Sequence, residues 1–598
     1  MFNLLNTAAS TELMSAGGTT WLDYLVFFIF VGGVALFGCS FYFRSSKGAA
    51  AFTKAEGSLP TWVVGMSIFA TFVSSISFLG LPGQALAGNW NPFVFSLSIP
   101  LATWLAAKIF IPLYRNVNSV SAYHYLEQKF GYWARCYVAI CYLLTQLARI
   151  GSILLLLALP INAMFGWDVQ QIIIWTGIAT LIYTLLGGIA AVVWTDAIQG
   201  IILIVGALAC AVLLTFSMPE GPNQLFEIAA ASDKFSLGSF GASLTEATFW
   251  VVLIYGLFTN MQNYGIDQNY VQRYMTTKST KDAVKSTLFG SLLYIPVSLV
   301  FVYIGTALFA YYTAQPELLP SVVDGATGEE LKGLAYLKND SVFPWFIVQG
   351  LPMGLTGLVI AAIFSAGMST VATSINSSAT IVLTDFVNRF AKKEASEKKN
   401  MRVLYLASFF VGGLGIVMGL LMMSIDGVLD AWWKLASIFS GGMLGLFLLT
   451  LVCKTVRKAH GVLSVIVGLL VIAWMSLSPL WNGAHIDRDA YVATVMEQTD
   501  SIAIAQGGIE KVEIVKDVIN EEQDNVEVQI RLEYKNGKKG VKTNTHQLAE
   551  IKQQELYVPQ SPFYEFRSEL HTYLTIVFGT TAIFLVGFIL TKLFPKKN

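Results

Sequence analysis

Two features of this chain could do chemistry: an isolated acid and a dense run of hydroxyls, both set in apolar sequence. Asp196 stands at the start of a long apolar run, and residues 365–378 carry hydroxyls at short intervals. An ionisable group at membrane depth costs roughly 2.5–3.5 kcal/mol, so such a residue usually lines the path of an ion or a substrate. A carboxylate and several hydroxyls can replace the water shell of a small cation. These residues therefore predict an ion-coupled carrier.

The composition is that of an all-α polytopic membrane protein. Of 598 residues, 55% are hydrophobic and only 13% are charged, against about 25% charged in soluble domains. Apolar stretches of about 20 residues, each long enough to cross a bilayer as a helix, recur along the chain. The zero net charge gives no reason to expect a nucleic-acid partner. Because no nucleophile–base constellation, CxxC pair or metal-binding histidine spacing is evident, we predict neither an enzyme nor a transition-metal site.

About thirteen transmembrane helices are predicted from hydropathy. Their approximate limits are residues 21–43, 60–86, 92–114, 133–164, 168–190, 196–217, 246–268, 285–313, 342–384, 402–424, 430–453, 461–481 and 571–593. The fourth and ninth spans are longer than a bilayer requires, which indicates tilt or a break.

The loops between these spans alternate in charge. One set of loops is rich in lysine and arginine: Arg44 and Lys47; Arg115, Lys129 and Arg135; Arg273, Lys278, Lys281 and Lys285; residues 392–402; Lys454, Arg457 and Lys458; and Lys596 and Lys597. The opposite set, residues 219–234 and 315–340, is poor in basic residues. Positively charged loops stay in the cytoplasm, so we expect residues 1–20 outside and a cytoplasmic C-terminus. The expected location is a plasma membrane or a bacterial inner membrane.

One segment departs from membrane composition. Residues 484–570 are charged and polar, and apolar and polar residues alternate within 512–515 and 526–534. Asn536-Gly537 then has the composition of a tight hairpin turn. We predict a small β-containing extracytoplasmic insertion between the transporter core of residues 21–483 and the last helix and short tail of residues 571–598. A disordered loop is the alternative.

Three ordered motifs resemble the signature of the sodium/solute symporter family. They are Tyr183-Thr184-Leu185-Leu186-Gly187-Gly188 with Thr195, Asp196 and Gln199; Gly265-Ile266-Asp267-Gln268-Asn269-Tyr270-Val271-Gln272-Arg273-Tyr274; and Ser365-Ala366-Gly367-Met368-Ser369-Thr370 leading to residues 374–380. The resemblance covers nearly the whole chain apart from the insertion. It implies a LeuT-like fold, with two inverted five-helix repeats at about residues 60–217 and 246–453. In that fold, ions and solute bind near the midplane, at broken helices.

A sodium site is expected where the second and ninth spans meet. Sodium takes several oxygen ligands, and backbone carbonyls become available where a helix unwinds. Residues 69–77 are rich in β-branched and hydroxyl side chains, with Gly80, Pro82 and Gly83 just beyond, so the second span is predicted to break there. By resemblance, five residues would bind the ion: the carbonyls of Ala70 and Val73, with Ala366, Ser369 and Thr370. Alternatively, these hydroxyls only cap carbonyls or pack helices.

Asp196 marks a candidate second sodium site. In some members of the family, the equivalent carboxylate helps to bind a second ion together with hydroxyls of the ninth span. The matching residues here are Ser369 and Thr373, but Ala372 stands where a further hydroxyl is found. Alternatively, Asp196 caps a helix start or pairs with a buried basic group.

Arg149 says most about the solute. An arginine inside a span is costly unless it is paired, and its guanidinium fork fits a carboxylate. In the sialic acid symporters of this family, an arginine at the matching position binds the substrate carboxylate, and Ser74 and Ser77 match polar substrate ligands. Phe72 departs from that pattern, because a threonine is found there.

Similarity to the sodium/galactose members argues against a simple aldohexose. Those carriers use a different set of polar sugar ligands, whose places are taken here by Phe72, Ser77, Ser96 and Trp433, while Asn260 is kept. Asn263 matches the tyrosine that closes their inner gate. The candidate substrate-binding residues are therefore Phe72, Ser74, Ser77, Ser96, Arg149, Asn260 and Asn263. Lys434 is either a second positive charge near this pocket or a partner of Asp430.

The sequence thus predicts a sodium-coupled symporter that imports a small organic solute by alternating access, driven by the sodium gradient. Its expected partners are sodium ions (Na+), the solute and the lipid bilayer. A carboxylate such as sialic acid is the best single choice of substrate; another monocarboxylate, an amino acid, a polyol or an uncharged sugar are alternatives. Arg149 also has a structural alternative, as a partner of Asp196 or of a carbonyl. A uniporter or channel without sodium coupling and a membrane sensor are the remaining classes.

Overall fold

The structure is a computed structural model that describes most of the chain. The described residues are 19–44, 59–73, 75–117, 121–320, 322–323, 330–331, 333–334, 339–390, 396–425, 427–453, 455–478, 484–486, 491–492, 509–520, 525–534, 539–547, 557–559 and 566–594. The chain divides into two compact units, residues 1–472 with 571–598, and residues 473–570. Each unit is described by itself.

Helices dominate the described residues. The α-helices are α1 (Trp21–Arg44), α2 (Thr61–Phe72), α3 (Leu81–Ala87), α4 (Asn91–Leu97), α5 (Ile99–Leu105), α6 (Ile111–Val117), α7 (His124–Phe130), α8 (Tyr132–Phe165), α9 (Val169–Phe216), α10 (Pro222–Ala231), α11 (Phe249–Ile266), α12 (Gln268–Met275), α13 (Thr280–Ala314), α14 (Asn339–Gly350), α15 (Leu355–Ile381), α16 (Asn388–Phe390), α17 (Glu397–Leu421), α18 (Val428–Val452), α19 (Lys458–Leu477) and α20 (Leu574–Leu593). The π-helical segments are Ile76–Gly80, Ala106–Phe110 and Val382–Val387, and the 3₁₀ turns are Pro316–Leu318 and Met422–Ser424.

Membrane-spanning helices make up most of this set. Ten are long and apolar enough to cross a bilayer, and an eleventh results when the bent pair of α2 with residues 76–87 counts as one span. This count refers to the described residues, whereas the sequence predicted thirteen spans. A largely helical, polytopic membrane protein is confirmed.

The second predicted span breaks where the sequence indicated. Helix α2 ends at Phe72, Val73 is extended with φ −81° and ψ 103°, and the helix axis turns by 54° before it resumes at Ile76. Pro82 lies just after the junction between the π-helical segment and α3, where it has no N–H to donate to the preceding helical turn. The break leaves carbonyls at the end of α2 without their usual helical donors.

A second interruption separates α11 from α12. Asp267 is extended, with φ −72° and ψ 127°, and its side chain accepts a hydrogen bond from the N–H of Asn269. It therefore caps the start of α12. The predicted repeats at residues 60–217 and 246–453 thus both begin with an interrupted helix.

Two predicted spans differ from the structure in their boundaries. Residues 168–190 and 196–217, predicted as separate spans, lie in one continuous helix of 48 residues, α9. Residues 191–195 contain neither proline nor glycine, so nothing in the local sequence ends the helix there. The long ninth span does break, because residues 351–354 separate α14 from α15, with Gly354 at φ +83°. The long fourth span is a single helix, α8.

The broken helix packs closely on α13 through glycine. A Cβ added at Gly290 would lie 2.2 Å from the carbonyl oxygen of Gly65 and 3.0 Å from the amide nitrogen of Phe69, both backbone atoms of α2. Backbone atoms in two packed helices cannot move aside easily, so only glycine fits at this crossing.

We expect Gly290→Ala to destabilise the protein by about 1–3 kcal/mol, the usual cost of overpacking. The measurement is the melting temperature of the purified protein in detergent. Gly413→Ala is the matched control, because a Cβ at Gly413, also within a helix, meets no atom within 4 Å. Equal melting temperatures for the two variants would contradict this packing.

Strands are described mainly in the second unit. They are β3 (Ala484–Ile486), β4 (Ile509–Asn520), β5 (Asn525–Tyr534), β6 (Lys539–Gln547) and β7 (Tyr557–Pro559), preceded in the first unit by the short pair β1 (Val322–Val323) and β2 (Glu330–Leu331). Strands β4, β5 and β6 form an antiparallel sheet in that order, and β3 pairs with β7. Val526, Val528 and Ile530 are buried, so alternate side chains of β5 face one side. The predicted turn at Asn536-Gly537 lies outside the described residues.

Candidate functional site

The five predicted sodium ligands are all buried, and two of them lie at the end of the broken helix. Ala70 and Val73 lie at the end of α2, while Ala366, Ser369 and Thr370 lie on α15, and none is more than 5% exposed. The hydroxyl of Thr370 donates to the carbonyl oxygen of Ala366 at 3.0 Å. A hydroxyl that donates its proton keeps its lone pairs for a cation. The Thr370 hydroxyl therefore has oxygen lone pairs available for a ligand.

Asp196 sits at the centre of a buried polar cluster joining four helices. Its Oδ2 accepts hydrogen bonds from Ser67 Oγ on α2 at 2.5 Å and from Arg273 Nη2 on α12 at 2.8 Å. Its Oδ1 accepts a hydrogen bond from the hydroxyl of Ser369 on α15. Arg273 also donates to Thr373 Oγ1 at 3.3 Å. The cluster therefore fixes the orientation of a predicted sodium ligand, Ser369.

Arg273 was assigned from the sequence to a basic cytoplasmic loop, and that assignment was wrong. Its side chain is fully buried and forms a salt bridge with Asp196. It is satisfied further by Ser67 Oγ at 2.8 Å and by the carbonyl oxygen of Asn269 at 2.9 Å. Asp196 likewise lies within the continuous helix α9 rather than at a helix start. Of its alternative roles, pairing with a buried basic group is the one observed.

A cavity lies between the two helix breaks. The polar side chains on its wall are Ser77, Thr145, Gln146, Arg149, Thr259, Gln262, Asn263 and Asp267, and its aromatic residues include Phe72, Phe95, Tyr270, Tyr294 and Trp433. Four predicted substrate residues, Phe72, Ser77, Arg149 and Asn263, therefore share one wall. The Phe72 ring packs 4.4 Å from that of Tyr294 and 5.5 Å from that of Tyr264.

The other three predicted substrate residues are placed differently. Ser96 accepts a hydrogen bond from Ser298 Oγ at 2.9 Å. The Asn260 amide donates to Ser98 Oγ at 3.0 Å and to the carbonyl oxygen of Phe95. Neither Ser96 nor Asn260 is on the cavity wall, because helix–helix hydrogen bonds hold both side chains. Ser74 lies outside the described residues.

Arg149 faces the cavity from α8 and is only 8% exposed. Its Nη2 donates to the carbonyl oxygen of Thr71 at 2.6 Å, one of the carbonyls near the end of α2. Among the described residues, no salt bridge joins Arg149 to a carboxylate, and Asp196 pairs with Arg273 instead. Because a guanidinium carries five N–H donors, one carbonyl leaves donors available for a ligand.

Lys434 takes the alternative role considered from the sequence. Its ammonium lies 2.7 Å from Asp430 Oδ2, and this pair is separated by one helical turn on α18. Lys434 is not among the residues that line the cavity.

Among the polar wall residues that sequence reasoning missed, three are the most deeply buried. They are Gln146, Gln262 and Asp267, all at most 3% exposed. Asp267 stood within a quoted motif, and Gln146 lies one helical turn before Arg149, hence on the same face of α8. Helical spacing from Arg149 and the position of an acid between two helical segments were the available signals.

The chain is similar to known proteins over most of its length. A profile of the sodium:solute symporter family matches residues 52–468. The chain is 31% identical to the sodium/sialic acid symporter NanT of Aliivibrio fischeri over 469 residues, covering 77% of this chain and 89% of that protein. It is 30% identical to the sodium/sialic acid symporter SiaT of Proteus mirabilis over 456 residues, covering 76% and 89%.

The fold is also similar to that of a solved structure, a substrate-bound, outward-open Na+-coupled sialic acid symporter. The TM-score is 0.73 at 25% identity, covering 97% of this chain and 99% of that chain. This similarity supports the LeuT-like fold that the motifs implied. On the family match over most of its length and the relatives at 30–31% identity, the chain belongs to the sodium:solute symporter family and is a sodium-coupled transporter, not an enzyme.

Proposed function

We propose that this symporter imports a small organic anion bearing a carboxylate, with sialic acid as the leading candidate. The observation that carries the proposal is Arg149, a buried cavity-wall guanidinium that forms no salt bridge among the described residues. A buried cation is costly unless an anion or several acceptors satisfy it. A substrate carboxylate would supply that anion through two parallel hydrogen bonds. The two sialic acid symporters at 30–31% identity favour the same substrate.

Arg149 also offers a route for coupling between solute and sodium. It holds the carbonyl of Thr71, two residues before Val73, whose carbonyl is a proposed sodium ligand. Sodium that orders this end of α2 would therefore also fix the guanidinium that binds the solute. Solute that holds the guanidinium would in turn order the sodium ligands at the end of α2. Such a link makes each ligand raise the affinity for the other by the same factor.

We place one coupling sodium at Ala70, Val73, Ala366, Ser369 and Thr370. A second sodium at Asp196, Ser369 and Thr373 would have to share that space with Arg273, whose guanidinium contacts both Asp196 and Thr373. Like charges at such distances repel strongly in a low-dielectric interior. A second ion therefore requires Arg273 to move away from Asp196.

We expect Thr370→Val to raise the sodium concentration for half-maximal uptake by about tenfold or more. Valine keeps the shape of threonine but removes one ligand oxygen, and a tenfold loss of affinity corresponds to about 1.4 kcal/mol. The measurement is a sodium titration of uptake in proteoliposomes. Thr180→Val is the matched control, because Thr180 is also a buried helical threonine whose hydroxyl donates to the carbonyl four residues earlier.

An unchanged sodium requirement in Thr370→Val would remove Thr370 from the site. The same titration distinguishes the ion numbers. A Hill coefficient near one supports a single coupling sodium, and a coefficient approaching two supports the second site at Asp196.

The arrangement in the membrane follows from charge and from the repeats. We propose that residues 1–20 and 484–570 are extracytoplasmic and the tail after α20 is cytoplasmic, in a plasma or bacterial inner membrane. Two inverted repeats, residues 60–217 and 246–453, form the core within residues 21–483. Their support is the broken helix at the start of each repeat, since such pairs of interrupted helices mark the binding sites of transporters built in this way.

The test of substrate identity is uptake of radiolabelled sialic acid into proteoliposomes with and without sodium in the external buffer, in the presence of unlabelled competitors. Sodium-stimulated uptake that unlabelled sialic acid blocks, and galactose does not, is the expected result. Sodium-stimulated uptake of another solute, without any uptake of sialic acid, would refute the substrate and leave the symporter intact.

A further inference from the structure

The cavity contains a buried acid that the proposed function does not use. Asp267 is 2% exposed and lines the same cavity as Arg149. It lies at the interruption between α11 and α12. The other helix break beside this cavity follows Phe72. An acid on a cavity wall that would receive an anion is electrostatically unfavourable unless it has its own partner.

The two oxygens of Asp267 have different surroundings. Oδ1 accepts a hydrogen bond of 2.7 Å from the N–H of Asn269, which accounts for its role as the cap of α12. Oδ2 is approached by Gln146 Nε2 at 3.5 Å, the outer limit of a hydrogen bond. Among the described residues, Oδ2 has no shorter donor, so it can accept a strong hydrogen bond from a ligand.

The orientation of the Gln146 amide is fixed by its neighbours. Its Oε1 accepts from Asn269 Nδ2 at 3.2 Å, so its Nε2 must point towards Asp267. Gln146 therefore helps to hold the acid in position, and its weak contact does not neutralise the charge.

A second unsatisfied group lies on the same wall. Gln262, 3% exposed, has an Nε2 without a hydrogen-bond partner among the residues that the structure describes. The backbone carbonyl oxygen of Gln262 accepts a hydrogen bond from the N–H of Asp267 at 3.0 Å. The two residues therefore belong to the same turn at the end of α11. Buried polar groups that lack a protein partner usually bind an ordered water or a ligand.

We propose that Asp267 is a substrate-selecting residue: it accepts hydrogen bonds from hydroxyl or ammonium groups of the solute while Arg149 holds the carboxylate. This inference rests on the proposed function and narrows its substrate class. The preferred solute is an anion or zwitterion with strong hydrogen-bond donors away from its carboxylate. A bare monocarboxylate has no hydrogen-bond donor to offer Asp267.

The test compares ligand-induced stabilisation of the purified protein in sodium buffer and in potassium buffer. The probes are sialic acid, serine and butanoate, which carry hydroxyls, an ammonium with a hydroxyl, and no donor, respectively. We expect sodium-dependent stabilisation by sialic acid or serine and little by butanoate. In Asp267→Asn, the concentration of the stabilising probe for half-maximal effect should rise by about tenfold or more, and the discrimination against butanoate should shrink.

Asparagine removes the negative charge and keeps the helix cap, because it caps a helix as well as aspartate does. The melting temperature of Asp267→Asn without ligand should therefore stay close to that of the unchanged protein. Asp168→Asn is the matched control: Asp168 also caps a helix, through the N–H groups of Gln170 and Gln171, but lies outside the cavity. It should leave the ranking of the three probes unchanged.

Two results would overturn the inference while the proposed function stands. They are sodium-dependent binding of sialic acid that Asp267→Asn leaves unaltered, and binding of butanoate as tight as that of the hydroxylated probe. Sodium-dependent stabilisation by serine but not sialic acid would support the role of Asp267 and refute the leading substrate. If none of the three probes stabilises the protein in sodium buffer, the proposed function and the inference are overturned together.

Discussion

Arg149→Ala is expected to abolish measurable sodium-driven uptake of a carboxylate solute. Truncating one partner of a buried, hydrogen-bonded charge pair costs roughly 2–5 kcal/mol, which corresponds to about 30-fold to several thousandfold in affinity. Arg149→Lys should retain part of the affinity, because an ammonium keeps the charge but loses the planar fork. The measurement is the concentration dependence of uptake in proteoliposomes.

The matched control for Arg149 is another arginine that holds carbonyls. Arg115 donates to the backbone oxygens of Tyr274, Thr277 and Lys278 and does not line the cavity. Arg115→Ala should lower the melting temperature and leave the half-saturating solute concentration unchanged. If Arg149→Ala behaves in the same way, Arg149 only supports the broken end of α2, and its role in binding the carboxylate is refuted.

Arg273→Met is expected to destabilise the protein by about 3–5 kcal/mol, because it leaves the buried carboxylate of Asp196 without its cation. Asp196→Asn should also be destabilising, since the guanidinium then loses its salt bridge. The double variant Asp196→Asn/Arg273→Met removes both charges and should be more stable than the sum of the single changes predicts. Melting temperatures of the four proteins in detergent give this coupling directly.

The effect of sodium on the melting temperatures of the same variants provides a second test. Removing Arg273 alone exposes Asp196 to any cation that can enter, so sodium should stabilise Arg273→Met more than the unchanged protein. Two results together would show that this pair does not support Ser369. The fall in melting temperature of the double variant would equal the sum of the falls of the two single variants, and sodium would stabilise Arg273→Met no more than the unchanged protein.

Much of the membrane architecture could be predicted from the sequence, since long apolar stretches have few other structures available to them. The break after Phe72 could also be predicted, because hydroxyl and β-branched residues there precede glycine and proline. The continuity of α9 could not. Hydropathy locates segments that fit a bilayer, but it does not show whether the residues that join two of them stay helical.

The site was predicted only in part. Arg149 was singled out because a guanidinium at membrane depth needs a partner, and Ser369 because its motif resembles the family's sodium ligands. The partner of Asp196 could not be identified, since Arg273 lies beyond the apolar stretch of its span and resembles a loop residue in sequence. Asp267 was similarly hidden, because capping of α12 and exposure to the cavity depend on three-dimensional packing.

The most direct test of the central claim is accumulation of radiolabelled sialic acid against its own gradient. Proteoliposomes would receive an inward sodium gradient, or equal sodium on both sides, at the same initial solute concentration. A sodium-coupled symporter predicts a transient internal concentration above the external one with the gradient, and simple equilibration without it. Equilibration at the same rate under both conditions would contradict coupling and identify a uniporter instead.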